Sequence, residues 1–351
     1  MPLLLSPINS FEGAVKVIDA GADEIYCGVA MQGEHRHFTL FRGPGASPAQ
    51  LPTYDELERI TEYAHRHNVK VIPVINEPFM SEALEKEVKN HICSCVEKGA
   101  DALIIGDLGV LSIVKDVGVE VPLYASTYFV SMNCEAVDFL RKLGFSRVIL
   151  ERHLTIHEIS EIVSRSKVDI EVFCHWGGCS NINANCYFYH HNAIPGFAMK
   201  RALKKAFDEK DPRSMVFSPC TLFYGVYDVS NGKKMCDVPI LDAFTGCSLC
   251  HLQALIHAGV GGLKIVGRYK TAKDQETWTR IYRELLDFIW HGRSRIRHKK
   301  MREKINSLKN ELGRTHIEIY CKQKRCFFSP LFNVSYESLI PSWELKKARR
   351  S

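Results

Sequence analysis

Along the first two-thirds of the chain, short runs rich in Val and Ile alternate with segments whose apolar residues recur at spacings of three and four. The runs are Glu24–Cys27, Lys70–Ile75, Ala102–Gly106, Pro122–Ala125, Arg147–Leu150, Ile170–Cys174 and, after a gap, Leu263–Val266. They are nearly continuous in apolar character, as strands covered on both faces must be. Helix starts fall between them: Thr53 with Glu56, and Thr155 with Glu158, have the spacing of a capping box. Such alternation predicts a parallel sheet joined by right-handed crossovers. About 270 residues of it suit a closed α/β barrel better than an open sheet. No G-x-G-x-x-G follows the first run, where a dinucleotide-binding sheet needs it. The expected fold is a TIM-like (β/α) barrel.

The rhythm breaks after Cys174. From Gly177 to Cys250 the chain is irregular, with clustered Asn, His, Tyr and Cys and a charged helical stretch near Ala198–Lys210. A segment of this length without barrel periodicity reads as an excursion that carries function. Amphipathic spacing resumes over Lys273–Trp290. Between Arg293 and Arg314 lie nine Lys/Arg against Glu303 and Glu311, which more than accounts for the chain's net charge of +6. The organisation expected is therefore a barrel over 1–290, holding the cysteine-rich excursion 174–250, and a basic, partly helical extension over 291–351.

Composition narrows the class. Hydrophobic residues at 46% and charged residues at 25% of 351 are ordinary for a globular chain. The longest apolar run, Ala102–Val114, is interrupted by Asp107, so no membrane span is expected. The first residues lack both the basic leader and the apolar length of a signal peptide. Thirteen cysteines without such a signal imply a reducing, cytoplasmic setting, where cysteines serve metals or catalysis more often than disulfides.

A barrel assembles its chemistry where the strands end. Reading past each expected strand gives Asn76, Asp107, Ser126, Arg152, His175 and Arg268, and Lys264 lies within the last strand. Arg152, Lys264 and Arg268 supply positive charge, and guanidinium forks recognise carboxylates bidentately. His175, four residues before Cys179, suits a proton shuttle or a donor to a metal ligand. Arg152, His175 and Arg268 are the catalytic candidates; Asn76, Asp107, Ser126 and Lys264 are the substrate-binding ones. Phe173, Trp176, Phe188 and Phe223 would give the mouth an apolar wall.

Cysteines crowd the irregular stretch, and the Cys179-x6-Cys186 spacing is too wide for a zinc knuckle. Thiolates scattered over such a length still meet around one cluster, so zinc and iron–sulfur stay level on composition alone. Cys27, Cys93, Cys95 and Cys134 sit among apolar neighbours and read as small buried hydrophobes. His190 and His191, beside Tyr187 and Tyr189, read as an aromatic wall. Cys321 and Cys326, with His316 nearby, have no assignment.

The stretch Glu171-Val-Phe-Cys-His175-Trp-Gly-Gly-Cys179, with Cys186 following, resembles the signature of the peptidase U32 family. Cys220 in Ser-Pro-Cys-Thr resembles that family's third cysteine and Cys250 its fourth. The run from His257 through Lys264 to Gly267-Arg268 is similar to its A-G-V-x-x-L-K-I-E-G-R block. The resemblance covers about residues 3 to 290, where Ala102–Gly109, Ala125–Thr127 and Leu143–Arg152 also fall in order. It implies a TIM-like barrel with a 4Fe-4S cluster on Cys179, Cys186, Cys220 and Cys250. It implies either peptidase activity or oxygen-independent hydroxylation of a nucleobase or a quinone precursor, the oxygen coming from prephenate. A prephenate-like anionic co-substrate would engage Arg152 and Arg268, RNA would engage the basic segment 293–314, and a family paralogue would form a heterodimer. The third possibility is a non-catalytic module in which the cluster only staples the excursion to the barrel. Against proteolysis, the chain holds no H-E-x-x-H and no G-x-S-x-G. It departs from the family pattern at Ser180–Asn185, at Val266 in place of the acid, and in the tail.

Overall fold

The computed structural model describes residues 1–30, 49–76, 82–176, 182, 223–239, 246–292, 298–313 and 328. The strands are β1 (Leu3–Pro7), β2 (Glu24–Val29), β3 (Gln50–Leu51), β4 (Lys70–Ile75), β5 (Leu103–Ile105), β6 (Leu123–Ala125), β7 (Arg147–Ile149), β8 (Asp169–His175), β9 (Phe223–Tyr227), β10 (Lys234–Pro239) and β11 (Gly262–Ile265). The helices are α1 (Phe11–Asp19), α2 (Tyr54–Arg66), α3 (Glu82–Glu97), α4 (Leu108–Val117), α5 (Cys134–Lys142), α6 (Ile156–Arg165), α7 (Leu252–Ala258), α8 (Ala272–His291) and α9 (His298–Glu311). Strands β1, β2, β4, β5, β6, β7, β8 and β11 pair in parallel around a ring that closes when β11 pairs with β1. The fold is a TIM-like α/β barrel.

The strand that closes the ring is the one the apolar pattern does not supply. Leu3–Pro7 is short and flanked by Pro2, and its own end is Pro7, so it does not stand out as a strand. In the barrel it is paired on both edges, Leu3 with Gly262 and Leu5 with Glu24. The two-residue β3 extends β2 outside the ring, Gly28 opposite Gln50. Strands β9 and β10 form a separate antiparallel hairpin within the excursion.

Helix starts follow their capping residues. Thr155 and Glu158 complete a capping box at α6. Thr53 accepts from the Glu56 backbone N–H at α2, but the Glu56 carboxylate turns away and accepts from the Phe11 backbone N–H at 3.0 Å, tying α2 to the start of α1.

Apolar side chains form two shells. Leu5, Tyr26, Ile72, Ile104, Tyr124 and Phe173 fill the barrel interior, drawn from alternate strand positions. The larger shell lies between strands and helices. Helix α9 belongs to that outer shell: Met301, Ile305 and Leu308, spaced four and three apart, are buried on one face. Lys304 pairs with Glu284 of α8 at 3.1 Å, and Arg280 with Glu311. The extension therefore begins as a packed helix. The Ala198–Lys210 stretch, the paired histidines His190 and His191, and Cys321, Cys326 and His316 lie outside the described residues.

Both ends of the excursion are laced together. Trp176 donates its backbone N–H to the Gly246 carbonyl at 2.9 Å, and Ser248 to the Cys174 carbonyl at 3.0 Å. The chain thus leaves from the C-terminal end of β8 and returns beside it.

Candidate active site

A cavity of about 150 Å³ opens at the C-terminal end of the barrel. Tyr26, Asn76, Ser126, Phe173, Lys264 and Arg268 are among the residues lining it. An engineered cavity of roughly 150 Å³ accepts benzene, so this one has room for a single six-membered ring.

Its polar groups are held by the strand ends. Asn76 follows β4 and donates Nδ2 to the Ser126 Oγ at 2.8 Å; the Tyr128 backbone N–H donates to the same oxygen at 3.3 Å. The Asn76 Oδ1 is buried and accepts no hydrogen bond. It is an acceptor placed to meet an N–H on a bound molecule. Lys264 points inward from β11, its Nζ 3.8 Å from the Tyr26 ring centroid and 3.4 Å from the Glu171 Oε1. Burial pushes its ammonium down to about 8, against the pull of Glu171 and with Arg268 and Arg147 adding to the depression. The Tyr26 hydroxyl is committed to the Ile265 carbonyl at 2.9 Å.

Arg268 reaches the cavity because two glycines let it. A Cβ on Gly28 would stand 2.5 Å from its Nη1. Gly267, just before it, has φ +118°, and a Cβ there would stand 2.5 Å from the Trp176 ring. Only glycine accommodates both the close approach and the turn.

The remaining candidates lie elsewhere. The Arg152 guanidinium is 5.5 Å from the ring centroid of Phe173, which lines the cavity, and 3.6 Å from the buried Glu151 carboxylate. Burial works against the Glu151 charge, but His153, Arg152 and the Arg152 backbone N–H outweigh it and hold the carboxyl below its usual range. Asp107 caps α4, accepting from the backbone N–H groups of Gly109 at 2.7 Å and Val110 at 3.1 Å. His175 is fully buried and stacked on Trp278 of α8, with ring centroids 3.4 Å apart. Neither Asp107 nor His175 lines the cavity. Trp176 packs over Gly267, while Phe188 and the Phe223 side chain lie outside the described residues.

Among the four cysteine ligands expected, Cys179, Cys186 and Cys220 also lie outside the described residues. Cys250 sits in the 3-10 turn Leu249–His251, directly after Ser248, whose backbone N–H is bonded to the Cys174 carbonyl. It is exposed, unlike Cys27, Cys95, Cys174 and Cys247, and Lys309 of α9 donates to its Sγ at 3.2 Å. An exposed sulfur is open to a metal, as the buried thiols are not.

The strand-order reading missed Tyr26, Glu171 and Gln50. Tyr26 and Glu171 were legible as inward positions once the alternate-residue register was known. Gln50 carries a buried carboxamide with neither atom hydrogen-bonded, its Cγ 3.2 Å from the same Gly28 Cβ position that Arg268 crowds.

Fold and cavity together define a parallel α/β barrel with a ring-sized, cationic mouth and a cysteine-bearing return loop beside it. The chain belongs to peptidase family U32, whose model matches residues 9–325. It is 28% identical over 288 residues to the 23S rRNA 5-hydroxycytidine C2501 synthase of Escherichia coli, covering 82% of this chain and 39% of that protein. It is 27% identical to tRNA hydroxylation protein P of Helicobacter pylori, over 88% of this chain and 69% of the relative. It is 28% identical to an uncharacterized protease of Methanocaldococcus jannaschii, over 90% and 71%. The chain thus spans well under half of the first of these proteins and about 70% of the other two. A solved U32 peptidase structure aligns with a TM-score of 0.40 at 15% identity, covering 50% of this chain and 69% of that one, too distant to carry an argument.

Proposed function

We propose that this protein hydroxylates a base in RNA without molecular oxygen, taking the oxygen atom from a small anionic donor of the prephenate type. The observation that supports it is the barrel-mouth cavity, which offers cations (Lys264, Arg268) and an open acceptor (Asn76 Oδ1) to one six-membered ring. Two relatives of the chain carry RNA hydroxylation in their names. A base reaches such a cavity only when swung out of its stack.

A 4Fe-4S cluster would be held by Cys179, Cys186, Cys220 and Cys250. Four soft thiolates are the donor set such a cluster requires, and the exposed Cys250 with Lys309 beside it fits that role. When bound, the cluster supplies one-electron transfer. The chain's own residues do the rest. Arg268 neutralises the donor's carboxylate, with Lys264 lining the same cavity; Asn76, fixed through Ser126, takes a ring N–H; Phe173 and Ile104 keep water from the ring. Proteolysis has less support here, since among the described residues no histidine lines the cavity to activate Ser126, whose Oγ already accepts from Asn76 and Tyr128.

The test is deletion of the gene in its host, growth without oxygen, and mass spectrometry of RNA nucleosides, quinones and peptides. The expected result is loss of one nucleoside bearing an extra oxygen, restored by the wild-type gene and not by Arg268→Met or Cys179→Ala. Unchanged hydroxylated nucleosides with an accumulating peptide would sink this reading in favour of the peptidase.

A further inference from the structure

Charged side chains from four strands meet inside the barrel. Arg147 of β7 pairs with Glu24 of β2 through both nitrogens of its fork and with the Glu171 Oε2 at 3.1 Å. Lys264 takes the other Glu171 oxygen at 3.4 Å. Arg268 exerts its positive charge on Lys264 from the cavity rim. Two buried carboxylates, Glu24 and Glu171, are thus shared between Arg147 and Lys264. Asp169, 3.9 Å from Arg147, is 65% exposed and screened by water. Glu171 thus serves two cations, and of these the arginine cannot shed its proton. Lys264 can. Its side chain is 8% exposed, and the cavity lies directly over it.

We propose that Lys264 is a nucleophile whose Nζ condenses with the carbonyl of a small 2-oxo carboxylate in the barrel-mouth cavity, forming an imine. The carboxylate sits on Arg268. This deepens the reading of the cavity as the site of the anionic co-substrate and rests on it. The neutral amine adds to the carbonyl carbon: a C–N bond forms and the carbonyl oxygen takes a proton. That oxygen then leaves as water, the nitrogen gives up its proton, and the C=N bond remains. Glu171, at 3.4 Å, is placed to carry the protons between nitrogen and oxygen. The step needs no oxidant, and hydrolysis reverses it. Its requirements are the ones a desolvated lysine beside a second cation satisfies. The depressed ammonium of Lys264 agrees with it, because a substantial fraction is neutral near pH 8.

The experiment is reductive trapping on the anaerobically purified full chain, with pyruvate as probe, cyanoborohydride as reductant and peptide mapping as readout. The expected result is one reduced adduct on Lys264, absent with lactate, which has no carbonyl. It is absent from K264R, and Arg268→Met raises the pyruvate concentration for half-maximal trapping roughly tenfold, the loss of one charge-assisted contact. Adducts spread over exposed lysines with Lys264 unmodified would overturn the proposal, and so would labelling that lactate matches. If K264R does not fold, the wild-type pyruvate and lactate maps decide alone. Trapping uses neither RNA nor electron transfer. A chain that traps pyruvate yet leaves RNA unchanged in its host refutes the hydroxylase and keeps the nucleophile; the reverse pair of results does the opposite.

Discussion

Glu24, Arg147, Glu171 and Lys264 come from four different strands and are all buried, so none of their charges is stabilised by bulk water. Burial raises the Glu24 carboxyl, and the Arg147 hydrogen bond and charge only partly offset it. Removing one member of such a set leaves a charge with no counter-ion, which costs far more than the pair is worth. Arg147→Met is therefore expected to lower unfolding free energy by about 3–5 kcal/mol in urea titrations. Arg165→Met, which removes an exposed pair with Glu135 at 3.1 Å, should cost no more than ~1 kcal/mol. Equal effects from the two would mean the interior network is hydrated and weak. These residues stood inside strands that the hydrophobic pattern identifies, yet their meeting was not legible there. One charged residue per strand means nothing until the ring closes and turns alternate positions toward a common axis.

Elements were more legible than their partners. Helices follow caps and apolar spacing, which are local: Thr155 with Glu158 behaves as its spacing says. Glu56 does not, because a nearby unpaired N–H at Phe11 competes for the same carboxylate, and that neighbour is 45 residues away in sequence. Strand β1 was hidden for a related reason, since five residues ending in proline become a strand only when β11 and β2 flank them. Helix α9 is more than a basic run, for one side of it is apolar and packed. Leu308 is 1% exposed. Leu308→Ala should lower the stability of the whole barrel by about 2–5 kcal/mol in a single unfolding transition. A separate, early transition for the variant, with the barrel's own unchanged, would show instead that α9 is a detachable appendage.

At the scale of the molecule, reading past the strand ends placed Asn76, Ser126 and Arg268, with Lys264 from within a strand, around one cavity, because a parallel barrel sends all strand ends to one face. Asp107 and His175 obeyed the same rule in sequence but turn to a helix cap and to α8, a matter of side-chain direction that strand order does not determine. The same distinction bears on how RNA would approach. In α9, Lys304 is engaged with Glu284 and Lys309 with Cys250, whereas Lys299, Lys300 and Arg302 are exposed. Only the latter set is available to phosphates among the described residues of the basic segment. Each phosphate contact releases a counterion and steepens the salt dependence of binding by ~0.7 for a single strand. On the hydroxylase reading, replacing Lys299, Lys300 and Arg302 together by Ala should flatten the slope of log affinity against log salt by up to about 2 for single-stranded RNA. Binding at low salt should weaken, while pyruvate trapping at Lys264 stays as in the wild type, because the cavity is untouched. Fluorescence anisotropy across a salt series measures the slope directly. An unchanged slope would remove α9 from the RNA path and leave the exposed charge of this helix as a solubilising face alone.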